Sequence, residues 1–398
     1  MEKIQRYLVG TYTEPVLFGT GDILQGKGKG IHFLELNRET KELKLTGVAA
    51  GVRNPSYVAA VRKRFVYCVN ELKRYRGEDG GSVTFLEWSE DGSDLEVRQT
   101  LPTHGQDPCH VAVDEEQQML VAANFMTGSV CAYRMDDRGM LEESGWIQHQ
   151  GNSVHPARQT GPHAHSGIWM RGKHQVIVPD LGMDRLMVYQ AAEDGSLVYL
   201  EGSSVYCKKG NGPRYGEFDR KQEYLYIVNE LSSSVTVLKY HEKENRFEEV
   251  QEISTLDDTL ISGDGDVRIA EACCGQSSAG AGNAEIINTS ADLHISPDNR
   301  HLYVSNRGHD SITVFGIHPE NGTLELLGHT SCGGRTPRNF AVDPSGDFVL
   351  VANQDSDVVV LFERNQETGE LTKVSSLEVP TPVCVAPIVG SENSLRMK

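Results

Sequence analysis

The sequence predicts an all-β protein, a seven-bladed β-propeller whose ring is closed by pairing of the N- and C-terminal strands. Three observations predict it. Prolines recur at Pro55, Pro108, Pro162, Pro213, Pro337 and Pro382, separated by 53, 54, 51, 124 and 45 residues, and the gap of 124 is two units plus extra sequence. After each proline come a short apolar run, a turn and a second run that ends in Asn or Asp followed by a variable residue: Asn70-Glu71, Asn124-Phe125, Asp180-Leu181, Asn229-Glu230, Asn306-Arg307 and Asn353-Gln354. Third and fourth runs follow, the fourth opened by a Gly-x-Leu or similar turn, as at Gly139, Gly195, Gly322 and Gly369. Short, turn-bounded strands, four to a unit of about 45 to 55 residues, are the pattern of propeller blades.

The units follow in order along a single domain of 398 residues. The first is expected to join residues 6–50, with Val9-Gly10-Thr11 as its copy of the strand end, to a terminal strand in 382–389. Drawing one blade from both ends of the chain removes the open edge that invites aggregation. The next six units are expected at 55–107, 108–161, 162–212, 213–290, 291–336 and 337–381. Residues 255–290, rich in Gly, Ala and Ser and without a two-residue period, read as an inserted loop with one helical turn near 268–273. It is either a surface insertion or a lid over one mouth of the ring. A smaller insertion at 18–29 reads as a second rim loop.

Composition narrows the function classes. A net charge of −18 argues against nucleic acid as a partner, which requires a basic face. It does not exclude a small anionic ligand, because a local Arg/His cluster can oppose the global sign. No run approaches the roughly 20 apolar residues of a membrane span, and the N-terminus lacks a signal-peptide pattern, so no membrane partner and a cytoplasmic location are expected. The eight cysteines are scattered without a C-x-x-C pair, which reads as reduced thiols rather than a zinc site or a disulfide framework. No metal and no cofactor are expected, and the sequence leaves the oligomeric state open.

Propeller geometry selects the candidate chemistry. Equivalent positions of different blades lie on a ring around one axis, so the residues that differ between copies converge. The slot after the Asn or Asp holds Glu71, Phe125, Leu181, Glu230, Arg307 and Gln354. Fifteen residues before that Asn or Asp the chain holds Cys109, His165, Arg214, Ala291 and Arg338, with Ser56 fourteen before Asn70, and beside this slot lie Tyr57, His110, Tyr215, Asp292 and Asn339. One axial region is therefore expected to collect Glu71, Glu230, Arg307, His165, Arg214 and Arg338, with His110 and Asp292 nearby. In the competing reading these charges are ion pairs that tie blades together. His163 reads as a packing or loop histidine or as a second site histidine.

The stretches YLVGTYT (7–13), NPSYVAA (54–60), DPCHVAVD (107–114), RQTGPHAHS (158–166), NGPRYGEF (211–218), VNELSSSV (228–235), LYVSNRGHDSI (302–312) and TPRNFAVDPSG (336–346) resemble the seven-bladed lactonase family. That family includes 6-phosphogluconolactonases of the cycloisomerase-2 type and fungal carboxymuconate lactonizing enzymes. The resemblance implies catalytic residues at His165, Glu230, Arg214 and Arg307. Substrate-binding positions are expected at Glu71, His110, His163, Asp292, Arg338 and Tyr215. Many family members carry His in place of Tyr215 and Glu in place of Asp292. The implied activity is hydrolysis of a small anionic sugar lactone, most simply 6-phosphogluconolactone. Alternatives are a lactonizing or other lactone-handling activity on a dicarboxylate or modified sugar, and a non-catalytic binding platform. In the hydrolytic reading His165 or Glu230 activates water, Arg214 or Arg307 holds the oxyanion, and the other cations bind phosphate or carboxylate.

Overall fold

The computed structural model describes residues 3–17, 23–257 and 288–389. Seven antiparallel sheets, six of four strands and one of five, form the blades of a ring, joined by two small two-stranded hairpins. The strands of blade 1 are Pro382–Pro387, Ile4–Thr11, Gly30–Asn37 and Glu42–Ala50 from the axis outward. Ile4–Thr11 pairs antiparallel with Pro382–Pro387, placing Leu8 opposite Ala386 and Val9 opposite Val385, so the two chain ends close the ring as expected. Blades 2 to 7 begin with Pro55–Val61, Pro108–Asp114, Ile168–Met170, Pro213–Phe218, Thr289–Ile295 and Pro337–Val342. The expected helical turn at 268–273, the Cys273-Cys274 pair, the lid reading of the long insertion and the tip of the 18–29 loop lie outside the described residues. The only helices among the described residues are two single 3₁₀ turns, at Glu201–Ser203 and Gln354–Ser356.

In blades 2 to 7 the second strand is buried at every position, as in Phe65–Asn70, Tyr224–Asn229 and Phe348–Asn353. A strand covered on both faces by neighbouring blades must be apolar throughout, which is why these runs lack the alternation of half-exposed strands. The core is accordingly divided among the blade interfaces. Tyr67, Phe85, Leu120 and Tyr133 fill one of them, and Tyr7, Leu34, Leu350 and Leu361 fill another.

The Gly-x-Leu signal has a physical origin in these interfaces. Buried Tyr67, Tyr226 and Tyr303 each donate a hydrogen bond to the carbonyl of Gly139, Gly322 or Gly369 in the next blade, at 2.8 to 2.9 Å. Those glycines have φ of +82°, +67° and +77°, and a Cβ on Gly322 would lie 2.4 Å from the Tyr224 ring. Only glycine meets both demands, the left-handed backbone and the ring against it.

The repeated Asn is structural as well. Asn229 Nδ2 donates to Ser234 Oγ and Thr236 Oγ1, both at 2.9 Å, and Asn306 repeats the pattern with Ser311 and Thr313. These bonds fasten the end of the second strand to the third and fix the direction in which the next residue leaves. The turn before the first strand is equally constrained. Asn54, Asp107, Gly212, Thr336 and Thr381, each just before a repeating proline, all have positive φ, between +37° and +63°. Left-handed backbone is costly for a β-branched residue such as Thr, and its recurrence at one mouth of the ring marks that mouth as over-determined.

Candidate active site

A β-bulge lies just after each of these turns. The register slips between Pro55 and Tyr57, Pro108 and His110, Pro213 and Tyr215, Ser290 and Leu293, and Pro337 and Asn339. The same slip occurs in blade 1 where Gly10 and Thr11 face Cys384 and Pro382. A bulge leaves one residue unpaired and re-aims its side chain. The bulged residues are Ser56, Cys109, Arg214, Ala291, Arg338 and Val383, and His165 takes the corresponding place in blade 4, donating its backbone N–H to the Pro179 carbonyl at 3.0 Å. Above this ring lie the residues that follow the second strands. The sequence thus builds two stacked rings of variable residues from invariant backbone geometry.

Glu230 is the hub, 4% exposed. Its Oε2 accepts from Arg214 Nε at 3.0 Å and lies 3.0 Å from Arg307 Nη2 and 3.8 Å from His165 Nε2. Its Oε1 accepts from Arg158 Nη2 at 2.5 Å. Burial alone would raise its pKa, but Arg307, Arg158 and Arg214 outweigh burial and hold the carboxyl well below the usual range. Glu230 is therefore a fixed anion. Arg214 also donates to the Ala291 carbonyl, and its pKa is pushed down to about 10 by burial first and then by Arg307. Arg307 is held differently. Its Nη2 sits at ion-pair distance from Glu230 without a hydrogen-bond alignment, and both Nε and Nη2 are buried with no hydrogen-bond partner among the described residues.

A second pair lies among the same two rings. Arg338 Nη2 lies 3.5 Å from Glu71 Oε2, and the Arg338 guanidinium sits 5.5 Å from the centre of the Tyr12 ring. Tyr12 donates its hydroxyl to Glu71 Oε1 at 2.8 Å. Among the described residues this mouth gathers four guanidiniums and two carboxylates, a cation-rich cluster in a protein whose net charge is −18. His165 is surrounded by this charge. Burial first and Arg214 next push its pKa well below 6.5, with Glu230 opposing them, so the imidazole is neutral.

The structure thus brings together Glu71, His165, Arg214, Glu230, Arg307 and Arg338. It separates the rest. His163 stacks on Phe125 with ring centres 4.7 Å apart and donates from Nδ1 to the Phe125 carbonyl at 2.9 Å, so its ring is engaged in packing. His110, Tyr215 and Asp292 belong to the residues beyond the bulge, which point the other way. They form part of a second layer, an arc of rings running Tyr57, His110, Tyr215, His294 and Phe340 with successive centres 4.0 to 5.8 Å apart. Asp292 Oδ2 accepts from Asn339 Nδ2 at 2.6 Å, from the Phe340 N–H at 3.2 Å and from His294 Nε2 at 3.1 Å. Burial disfavours a charged His294, but Asp292 and Glu217 outweigh it and push the pKa up to about 10. The six residues expected together do meet; His110 and Asp292, expected nearby, lie within electrostatic reach of Arg214 but belong with Tyr215 to the second layer, and His163 packs on Phe125 within reach of Arg158 and Glu230.

A large cavity, of about 1290 Å³, belongs to this second layer. It opens where the innermost strands end and is lined by Tyr57, His110, Trp169, Tyr215, His294 and Asn339, and by none of the four arginines. Volume and charge therefore point to opposite mouths. Charge decides for an anionic substrate: in the large cavity Arg62, Arg171 and Arg220 are outnumbered by Asp114, Glu115, Glu116 and Glu217, His110 is held neutral, its pKa pushed to about 3 by burial, and His294 is already paired with Asp292 and Glu217.

Two members of the charged mouth are absent from the sequence expectation. Tyr12 follows Thr11 in the seventh copy, so the register of the other six would have found it. Arg158 lies in the non-repeating stretch 149–163, where no period exists to flag it. Gln159 there is fully buried, accepts from the His155 N–H at 2.9 Å and donates to the Leu181 carbonyl at 2.8 Å, which fixes the loop that carries Arg158.

Comparison with known proteins places this geometry in context. Residues 6–387 match the family model described as lactonase, 7-bladed beta-propeller. The chain is 32% identical over 379 residues to the 6-phosphogluconolactonase of Bacillus subtilis, covering 95% of this chain and 96% of that protein. It is 28% identical to the 6-phosphogluconolactonase of Formosa agariphila, over 87% of this chain and 92% of that one. Among solved structures, the periplasmic gluconolactonase of Pseudomonas aeruginosa superposes with a TM-score of 0.81 at 27% identity, covering 97% of this chain and 99% of that one.

Proposed function

The chain belongs to the seven-bladed β-propeller lactonase family and is an enzyme acting on lactones, and from that premise we propose that its substrate is 6-phosphogluconolactone, hydrolysed to 6-phosphogluconate at the arginine-lined mouth. One observation carries this reading: buried Arg307 offers N–H donors that have no partner among the described residues, inside a cluster of four guanidiniums and two carboxylates. Such a cluster fits an anionic ligand and matches carboxylate and phosphate oxygens bidentately.

The chemistry follows from the protonation states. Neutral His165 accepts the proton of a water molecule at Nε2 as the water oxygen bonds to the lactone carbonyl carbon. The carbonyl oxygen becomes an oxyanion, stabilised by Arg307 and Arg214, which are already in place and need no reorganisation. The ring C–O bond then breaks, and the departing oxygen takes the proton from His165 to become the product hydroxyl. Glu230, 3.8 Å from His165 Nε2, stabilises the transient imidazolium. Of the two candidate bases the geometry favours His165, because both oxygens of Glu230 are engaged by arginines that depress its basicity. Arg338 and Glu71 form the distal wall, where the phosphate is received.

Similarity to the Pseudomonas aeruginosa gluconolactonase favours a second reading, in which the substrate is the unphosphorylated sugar lactone. The test is acid release from freshly generated 6-phosphogluconolactone, measured over its spontaneous hydrolysis, for the native enzyme and for His165→Gln. Catalysed release that falls in His165→Gln supports the assignment; release at the spontaneous rate for the native enzyme overturns it.

A further inference from the structure

Cys109 and His165 occupy the same bulge position in adjacent blades, so the fold sets the thiol beside the imidazole. The Cys109 Sγ lies 3.2 Å from the His165 backbone carbonyl, 3.6 Å from His165 Nδ1 and 3.8 Å from the Ala123 carbonyl. A thiol has one proton to donate and a sulfur that accepts weakly. The nearest acceptor is the His165 carbonyl, which takes the S–H. The sulfur lone pairs then face Nδ1, and no other described side chain bonds to that nitrogen, whose remaining acceptor within reach is the residue's own carbonyl. On the other side of the ring, Nε2 faces Glu230 Oε2 at 3.8 Å. The edge of Phe125, with ring centres 5.1 Å apart, walls off the remaining face.

We propose that Cys109 is a positioning residue that sets the tautomer of His165: its S–H is engaged by the His165 carbonyl, its sulfur accepts the Nδ1 hydrogen, and Nε2 is left as the unprotonated nitrogen facing the substrate. This inference rests on His165 being the base. A base needs its lone pair toward the water it deprotonates, and the nitrogen that carries the hydrogen is set by the partner of the other nitrogen. In many enzymes a carboxylate fills that role; here the partner is neutral. Burial raises the thiol pKa, so the S–H persists at working pH. A carboxylate in place of the thiol would add negative charge to a mouth that must accept an anion, whereas the thiol orients the ring without it.

The test uses the uniformly ¹⁵N-labelled full chain and long-range ¹H–¹⁵N spectra of its histidines, with His165 assigned by the signals lost in His165→Gln. The expected spectrum shows His165 protonated at Nδ1, in the native protein and in Cys109→Ser, whose hydroxyl also donates and accepts. In Cys109→Ala the signal moves toward the Nε2-protonated form or a mixture. Kinetically, Cys109→Ala lowers kcat by about tenfold or more with KM within about twofold, and Cys109→Ser restores most of it, in keeping with the general-base contribution at stake. A native His165 protonated at Nε2, or a Cys109→Ala protein with unchanged tautomer or unchanged kcat, overturns the proposal. Full activity in His165→Gln instead removes the catalytic reading on which it rests, and the spectra alone then judge whether the thiol sets the tautomer.

Discussion

Replacing Arg307 with alanine separates catalysis from stability more cleanly than any other change at this mouth. The residue is 8% exposed, yet its contribution to folding is small by construction. Neither Nε nor Nη2 makes a hydrogen bond to a described residue, so among those residues the substitution leaves no polar atom newly unpaired on that account. Removing one partner of a buried ion pair costs roughly 3 to 5 kcal/mol when the other is left unpaired. Glu230 is not left unpaired, because it keeps Arg158 at 2.5 Å and Arg214 at 3.0 Å. Loss of one guanidinium also relieves Arg214, whose pKa Arg307 helps depress. The expected stability change is about 1 kcal/mol or less, or a Tm shift within ~2 °C for a protein of this size. Activity responds differently. Loss of one preorganised oxyanion donor costs about 10²- to 10³-fold in kcat, equivalent to about 2.7 to 4 kcal/mol. The assay is initial acid release at several lactone concentrations, with a thermal melt of the same samples. A variant with kcat/KM within about threefold of the native enzyme refutes the placement of Arg307 at the reacting carbonyl. A Tm loss of about 8 °C or more refutes the claim that its donors are held ready for a ligand.

Glu230→Gln tests the hub from the other side: three guanidiniums lose their counter-charge together, so this variant should lose several degrees of Tm as well as activity, and a native-like melting temperature would show that the arginines do not depend on it. The acid limb of the kcat/KM profile should fall well below pH 6.5, since the base must be neutral and the His165 pKa is depressed; a limb at or above 6.5 would point to a different base. Stability against pH should peak near 6.5. His110, pushed from 6.5 to about 3, adds stability above 6.5 that is lost as pH falls toward 3, and His294, raised to about 10, adds stability below 6.5 that is lost as pH rises toward 10. Each contributes at most about 1.4 kcal/mol per pH unit, and an urea series that shows no decline on the alkaline side would contradict the His294 assignment. Gly322→Ala should destabilise by several kcal/mol without touching the site, because the new Cβ meets the Tyr224 ring at 2.4 Å and the backbone is left-handed; a stability within about 0.5 kcal/mol of native would refute the packing argument.

The fold was legible because a ring repeats its constraints. Proline spacing, the strand-ending Asn and the Gly-x-Leu turns each answer a local demand of backbone geometry or blade contact, and each demand recurs once per blade. The six charged residues of the mouth were legible for the same reason, since equivalent positions around an axis must converge. What the repeat could not reveal was direction. A bulge reverses the side to which the next residue points, and no residue type in the stretches around Tyr57, His110, Tyr215 or Asp292 signals that reversal. The sequence reading therefore put Tyr215 and Asp292 beside Arg214, whereas Tyr215 lines the large cavity and the Asp292 carboxylate is engaged by Asn339, the Phe340 N–H and His294. Arg158 was hidden because it belongs to no repeat, and Tyr12 because blade 1 is assembled from both ends of the chain and its copy of the motif carries Thr11 where the others carry Asn or Asp.

The central claim is that the arginine mouth receives an anionic sugar lactone. Its most direct test is the ratio of kcat/KM for 6-phosphogluconolactone to that for the unphosphorylated lactone, measured side by side over spontaneous hydrolysis. The account predicts a ratio of about 100 or more, since a bidentate charge-assisted contact is worth roughly 1.5 to 3 kcal/mol and more than one arginine is available. A ratio near one would contradict it and hand the substrate to the uncharged lactone.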